Sequence, residues 1–475
     1  MDEARVKIVA TVGPASRSPA QLEALARAGA DVLRVNGAHT PEGEIPIVVR
    51  DAQRVSRRVG RPFAVLLDLP GVKIRAGRIP GGPVDVADGA TVRLVARPRD
   101  AARTEVPVPR AVLASLAVGT EVLMGDGVVV LRVLETGRDG ARCRVEAGGT
   151  LRDRTGVHVR GAVHRGPSLT PLDLRLASLG ARCGVDALGI SFVRGAADVN
   201  RLRRHLLAAG LPVPLLVAKI ERREAVAALD EVLDASDGVM VARGDLGLEF
   251  GPEEVPGLQK RILEAAARHG RVAITATQML ESMTTASRPT RAEASDVANA
   301  VFDRSDAVML SGETAVGAHP ALVVETMNRI VRAAEADAHC PYAGDARGPG
   351  PEADARRPDR LVVRAAVRLA QEARAAAVVV FTRAGHSARR LAKERPHAPV
   401  YAFAPDARVV RSLALSWGVR PRLLPAGRST DAVLRAVLGR LRREEGLAKG
   451  DRVVVVMGTP EDPAGTTSLV ILRTL

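Results

Sequence analysis

From residue 7 to residue 336 the chain alternates short apolar runs with longer amphipathic ones. The apolar runs are KIVAT (7–11), DVLRVN (31–36), FAVLLD (63–68), DALGISF (186–192), LLVAKI (215–220), GVMVARG (238–244), VAITATQM (272–279) and AVMLSGET (307–314). Each is apolar almost without interruption, as expected of strands covered on both faces of a parallel sheet. All but the third lead directly into a helix-period stretch such as SPAQLEALARAGA or PEEVPGLQKRILEAAARHG. Eight βα units argue for a closed (β/α)8 barrel of the TIM type rather than an open sheet.

The exception, after the third run, divides the chain. Residues 77–161 alternate in polarity and are rich in Val, Gly and Pro (VDVADGATVRLVA, TEVLMGDGVVVLRVLE, ARCRVEA), with almost no helical periodicity. They read as an all-β domain inserted at the C-terminal face of the barrel, where a lid is useful. The barrel then occupies residues 1–76 and 162–336. The stretch 337–358, dense in Gly, Pro and charge, reads as a linker. Residues 359–475 alternate helix and strand again and read as a separate α/β domain.

Composition narrows the function. Of 69 basic residues only six are lysines, and the formal net charge is +15. The arginines are spread evenly and no basic run interleaves aromatics, so a nucleic-acid partner is not expected. Aromatics are 2% of the chain, so the cores must be aliphatic. Three scattered cysteines form neither a disulfide framework nor a zinc site. No apolar run approaches the ~18 residues of a membrane span. The charged N-terminal stretch enters a strand at once rather than a signal peptide. A soluble, cytoplasmic protein without a membrane partner is expected.

Barrels of this kind place their chemistry at the C-terminal ends of the strands. There this lysine-poor chain sets Lys219 at the exit of an apolar run with Glu221 two residues on, on the same side of the strand. Arg34 and Asn36 end the second run; Asp68, Lys73 and Arg75 follow the third; Ser191 and Phe192 end the fourth. Gly244 and Asp245 end the sixth, Thr277 the seventh, Ser311 and Glu313 the eighth. Any one of these could be a solvated strand cap, and Thr277 alone is a good strand residue. Together they suit metal-assisted phosphoryl or enolate chemistry. Glu221 and Asp245 give a hard cation such as Mg²⁺ two carboxylates and leave room for water and substrate oxygens. The arginines and the lysine suit a phosphoryl group.

The blocks KIVATVGPASRSP, GADVLRVN, KIRAG, VAKIE, VARGDLGLE, TATQMLESM, SRPTRAEASDVANAV and VMLSGETAVGAHP, in this order, resemble those of the pyruvate kinase family. The C-terminal VVVFTRAGHSARRLAKERPHAPVYAF resembles its regulatory domain. The resemblance implies a homotetramer that passes phosphate from phosphoenolpyruvate to ADP with Mg²⁺ or Mn²⁺. By the same resemblance Lys219 stabilises the transferring phosphoryl group and the enolate, Glu221 and Asp245 hold the metal, and Arg34 contacts the phosphoryl group. Thr277 belongs to the proton path to the enolate carbon. Gly244 and Asp245 offer backbone N–H groups to the substrate carboxylate. Arg75, His39 and Asn36 lie toward the nucleotide, and Asp126 is the lid acid that closes on it. In the C-terminal domain the residues Thr382, Arg383, Gly385, His386 and Ser387 suit a phosphate loop for an allosteric effector, with GTPEDPAGTT as its second wall, or else a plain strand-to-helix turn.

Three departures fall on the nucleotide and monovalent-cation side. RVNGAH carries Gly37 and Ala38 where the family usually has an aromatic and a serine, Leu69 stands for a threonine, and TGVHV has Thr155 and His158 for lysine and asparagine. Lys73 occupies the place of a glutamate that favours bound K⁺, so K⁺ is not expected to be required. Two other readings remain. One is a carbon–carbon lyase acting on pyruvate enolate with the same metal pair, which needs neither lid nor phosphoryl arginines. The other is a non-catalytic metabolite sensor, supported only by the altered nucleotide side.

Overall fold

The computed structural model describes residues 4–98, 104–162, 167–337, 339–340, 342, 358–425, 429–458 and 466–475. Eight parallel strands close the expected barrel: β1 (Lys7–Val12), β2 (Val32–Asn36), β3 (Ala64–Asp68), β4 (Ala187–Ile190), β5 (Leu215–Ile220), β6 (Gly238–Ala242), β7 (Val272–Ala276) and β8 (Ala307–Leu310). Each pairs with its sequence neighbours, and β8 pairs back onto β1. Side chains alternate between two cores. Val9, Val32, Leu66, Val217, Met240 and Ile274 fill the barrel interior. Ile8, Leu33, Val65, Leu67, Leu216 and Val239 pack under the helices. The helices start where the sequence offers caps: Ser18, Thr170 and Thr290 each form a reciprocal capping box with Gln21, Asp173 and Glu293.

Four strands stop short of the ends of their apolar runs; one is β8, which ends at Leu310, before Ser311 and Glu313. β4 stops at Ile190, before Ser191 and Phe192. β6 stops at Ala242 because the helix Arg243–Phe250 begins at once. β7 stops at Ala276, so Thr277 lies beyond the strand, not in it. Phe192, Thr277 and Gln278 all take left-handed backbone angles (φ 54°, 70° and 53°). That conformation is strained for a β-branched residue, and such strain collects at functional sites.

The insertion between β3 and the helix Pro171–Cys183 folds into a six-stranded sheet in the order Val157–Val159, Glu121–Met124, Val129–Gly137, Gly140–Ala147, Thr91–Val95, Glu105–Pro107. It is not purely β: a one-turn helix spans Arg110–Leu113, and the last two strands are parallel. The C-terminal domain is the expected α/β layer, with β9 (Ala377–Phe381), β10 (Val400–Ala404), β11 (Val419–Leu423), β12 (Arg452–Met457) and an antiparallel edge β13 (Leu469–Thr474), in the order β11-β10-β9-β12-β13. Most of the linker expected at 337–358 lies outside the described residues.

The lower end of the barrel repeats one device four times. Asp31, Asp186, Asp237 and Asp306 stand immediately before β2, β4, β6 and β8. Each carboxylate accepts a backbone N–H of the preceding odd strand, from Ile8, Val65, Leu216 and Ala273 at 3.0, 2.9, 3.0 and 2.7 Å. Each Asp N–H donates back to the carbonyl of that same residue. The odd strands thus have their first free donors satisfied inside the fold.

Two of the four carboxylates also dock the C-terminal domain. Arg411 Nε donates to Asp186 at 2.9 Å, and Lys393 pairs with Asp306. Arg395 adds a bond to the Ser305 carbonyl and lies over the Trp417 ring, while Ala414 and Leu415 plug the barrel core from below. Burial works against the Lys393 ammonium and lowers its pKa, with Asp306 opposing. Removing one partner of such a buried pair typically costs about 3–5 kcal/mol. Lys393→Met is therefore expected to weaken domain docking. Trp417, the single tryptophan, reports it: its fluorescence transition in urea should move to lower denaturant. An unmoved midpoint would mean that the pair contributes nothing to docking.

Candidate active site

At the opposite end of the barrel four charged side chains share one buried space. Asp68, at the end of β3, is 2% exposed and its Oδ2 accepts from Arg34 Nε and Nη2 at 2.9 and 2.7 Å. The Lys219 ammonium lies 3.4 Å from the same oxygen and 3.0 Å from Glu221 Oε1. Lys219 also donates to Ser191 Oγ at 2.8 Å, and Ser191 passes a bond on to the Leu69 carbonyl at 2.7 Å. Strand geometry explains the set. Lys219 and Glu221 point the same way from one strand exit, while β2 and β3 are neighbours whose register places Arg34 beside Leu66 and Asn36 beside Asp68.

Electrostatics fixes the charge states. Burial disfavours the Lys219 ammonium, yet Asp68 and Glu221 outweigh it and hold the lysine pKa above its ordinary value. Burial pushes Asp68 the other way, but Lys219 and Arg34 keep its carboxyl below the usual range. Glu221 is raised, first by burial and then by Asp245, against Lys219. Its Oε2 accepts the Phe192 N–H at 2.6 Å, while Oε1 is buried and accepts no hydrogen bond. That oxygen has the Lys219 ammonium beside it but no well-directed hydrogen bond, and a carboxylate so placed, facing a second carboxylate in one cavity, fits a divalent cation taken mainly by oxygen. Among the described residues no group of three or more His, Cys, Asp or Glu side chains could hold a metal. Water and substrate oxygens would have to complete the shell.

Two cavities meet here. One, about 540 Å³, is lined by Arg34, Asn36, His39, Asp68, Arg75, Arg154, Lys219 and Glu221. The other, about 820 Å³, lies between the lid and the helix Arg243–Phe250 and contains Asp126, Gly244 and Thr277. Asp245 and Lys73 line both. Lys73 Nζ is 2.8 Å from Asp126 Oδ1, so the barrel loop and the lid are joined by an ion pair on the border. The Gly244 N–H donates to Thr277 Oγ1 at 2.8 Å, and that hydroxyl donates to the Ala276 carbonyl at 2.6 Å. Asn36 Oδ1 accepts the Ala38 N–H, and Arg75 donates to the Arg154 carbonyl. The lid leans on the site helix through Arg160 to the Leu248 carbonyl at 3.3 Å, and His158 lies 3.3 Å from Glu249.

Sequence reasoning gave Asp68 and Ser191 a place at a strand end but no partner. A lone acid closing the apolar run AVLLD was the available signal. In the C-terminal domain, Thr382 Oγ1 accepts the N–H of Gly385 (φ 85°), which opens the helix His386–Lys393. Ser387 Oγ meets Thr467 Oγ1 at 2.5 Å, while Arg383 and His386 are exposed. Residues 459–465, most of the proposed second wall, lie outside the described residues.

Two family models cover the chain. The pyruvate kinase barrel domain matches residues 3–324 and the pyruvate kinase alpha/beta domain matches residues 360–472. A pyruvate kinase of Methylorubrum extorquens is 38% identical, over 98% of this chain and 96% of the relative. Pyruvate kinases of Mycobacterium tuberculosis and Corynebacterium efficiens are each 39% identical, over 98% and 100% of this chain and 97% and 98% of their own lengths.

Gly189 on β4 is what leaves room for Asp68: a Cβ there would sit 2.8 Å from Asp68 Oδ1. The carboxylate cannot yield without carrying Arg34 and Lys219 with it. Gly189→Ala is expected to lower kcat by about 10–100-fold, since displacements near 1 Å at reacting groups cost up to ~100-fold. The stability loss should stay within the ~1–3 kcal/mol of an overpacked core. Unchanged turnover in a folded variant would show that the carboxylate's position does not matter.

Proposed function

We propose that this chain, which belongs to the pyruvate kinase family and is a phosphotransferase, passes the phosphoryl group of phosphoenolpyruvate to ADP in glycolysis. The observation that carries the reading is the buried set of Lys219, Arg34, Asp68 and Glu221 facing one cavity with Arg75, His39 and Arg154. In the reaction the enol P–O bond breaks and a bond to a terminal ADP oxygen forms. The enolate left behind takes a proton at its methylene carbon and becomes pyruvate.

Glu221 and Asp245 would hold a divalent cation, Mg²⁺ or Mn²⁺, which would supply positive charge to the phosphoryl and enolate oxygens. Lys219 brings a compact ammonium to the transferring group, in a space dry enough for that charge to count most where charge moves. Arg34, kept in place by Asp68, turns its remaining donor edge to the phosphoryl oxygens. Thr277 Oγ1 hands on the proton. Gly244 and Asp245 hold the substrate carboxylate through backbone N–H groups at the start of their helix, which asks the Gly244 N–H to leave Thr277. Arg75, His39 and Asn36 receive the nucleotide, and Asp126 follows it as the lid closes.

Lys73 replaces a bound monovalent cation in this reading. Its ammonium reaches the substrate cavity, and a K⁺ about 4 Å away would be repelled by several kcal/mol in a partly screened site. Ala38 and Leu69 offer no side-chain oxygens to such an ion. Thr382, Arg383, Gly385, His386 and Ser387 form the loop of a phosphorylated effector, and the active species is a cytoplasmic homotetramer without nucleic-acid or membrane partners.

The primary test is pyruvate formation from phosphoenolpyruvate and ADP in a coupled assay, repeated with a panel of phosphorylated metabolites to test the effector loop. Lys219→Met should lose about 10³-fold or more in kcat, because it removes charge stabilisation of the transition state. Metal-dependent phosphoenolpyruvate binding, followed by calorimetry, should persist in that variant. Near-normal turnover would refute the role given to Lys219.

The monovalent ion gives a separate test. Replacing K⁺ by tetramethylammonium at equal ionic strength should leave activity unchanged, and Lys73→Glu should impair it with only partial rescue by K⁺. Strong activation of the unaltered protein by K⁺ would overturn the role given to Lys73.

A further inference from the structure

We infer that Arg243 is a positioning residue for the reaction, acting through Thr277; the inference rests on the proton-path reading of that threonine. Arg243 is the first residue of the helix that carries Gly244 and Asp245, and its side chain is 10% exposed. Its guanidinium reaches across to the end of the neighbouring strand β7. Nε donates to the carbonyls of Ala276 and Thr277 at 3.3 and 3.2 Å, and Nη2 to those of Thr277 and Gln278 at 2.6 and 3.1 Å. Nη2 also meets Met279 Sδ at 2.9 Å, while Nη1 is anchored by Asp296 at 2.7 Å.

These acceptors belong to the turn that holds Thr277 and Gln278 in consecutive left-handed conformations. Such strained residues persist only where the surroundings over-determine them. Three successive carbonyls converging on one cation supply that determination. A planar guanidinium with five donors in fixed directions can serve all three at once; an ammonium cannot. The turn sends Thr277 Oγ1 toward the Gly244 N–H, one residue from Arg243 itself. One side chain thus ties the backbone that presents the hydroxyl to the helix start that presents the donors. In the sequence its only mark is an arginine directly before Gly244 and Asp245.

The test is a double-mutant cycle on the full-length protein with phosphoenolpyruvate, ADP and Mg²⁺. Arg243→Ala and Thr277→Ala are each expected to lower kcat by about 100-fold, with the phosphoenolpyruvate KM changed less than about threefold. The double variant should be no slower than Thr277→Ala alone, because residues that act as a unit do not add. Guanidinium ion, which can enter the adjoining cavity lined by Arg243, should restore part of the rate to Arg243→Ala and none to Thr277→Ala. Should Arg243→Ala fail to fold, Arg243→Lys takes its place in the cycle, with a loss of about tenfold or more expected from the missing fork. Wild-type turnover in the arginine variants, or losses that multiply in the double variant, would overturn the proposal. Wild-type turnover in Thr277→Ala would instead refute the proton-path reading, and the proposal with it.

Discussion

Two cations and two carboxylates buried together at the upper rim of the barrel constrain everything around them. Removing Lys219, Arg34, Asp68 and Glu221 from water costs several kcal/mol per ion, offset only when each charge has close, well-directed partners. The partners are supplied with little slack. Asp68 Oδ2 serves both cations, Ser191 Oγ accepts a hydrogen bond from Lys219, and Glu221 accepts one from the Phe192 N–H. Gly189 must lack a side chain, and Phe192 must adopt a left-handed backbone. Glu221 Oε1, which has only the Lys219 ammonium beside it, is where a divalent cation would add further charge.

The barrel's lower end meets a related demand by another route. Each even strand is preceded by an aspartate that caps the neighbouring odd strand, and two of these carboxylates accept cations from the C-terminal domain. The same groups therefore finish the sheet and dock a second domain. The docking helix His386–Lys393 begins at the loop assigned to an effector phosphate and ends at Lys393, on Asp306 before β8.

The active end is less settled than the lower one. Lys73 and Asp126 join barrel and lid across the border of two cavities, in an ion pair that is largely open to water and so weakly held. The Thr277 turn behaves differently: its strained backbone is bonded by the largely buried Arg243 guanidinium at the wall of the larger of those cavities.

Continuous apolar runs and their count determined the barrel, because a strand covered on both faces has no place for alternation. The spacing of Lys219 and Glu221 determined that they would meet, since residues two apart on a strand share a side. The ordered blocks determined the family. What the sequence left undecided depends on neighbours brought together by closure. Asp68 becomes a counter-ion only when β2, β3 and β5 converge on one space, and Lys73 meets a lid acid 53 positions away. Arg243 finds its three carbonyls at the end of the next strand of the barrel and in the turn that follows it. Thr277 looked like an ordinary strand residue, and only the end of β7 and the pull of that guanidinium place it in a left-handed turn. Periodicity reports which face of an element is buried; the partner across the interface is fixed by the register and curvature of the closed sheet, which no local stretch of sequence contains.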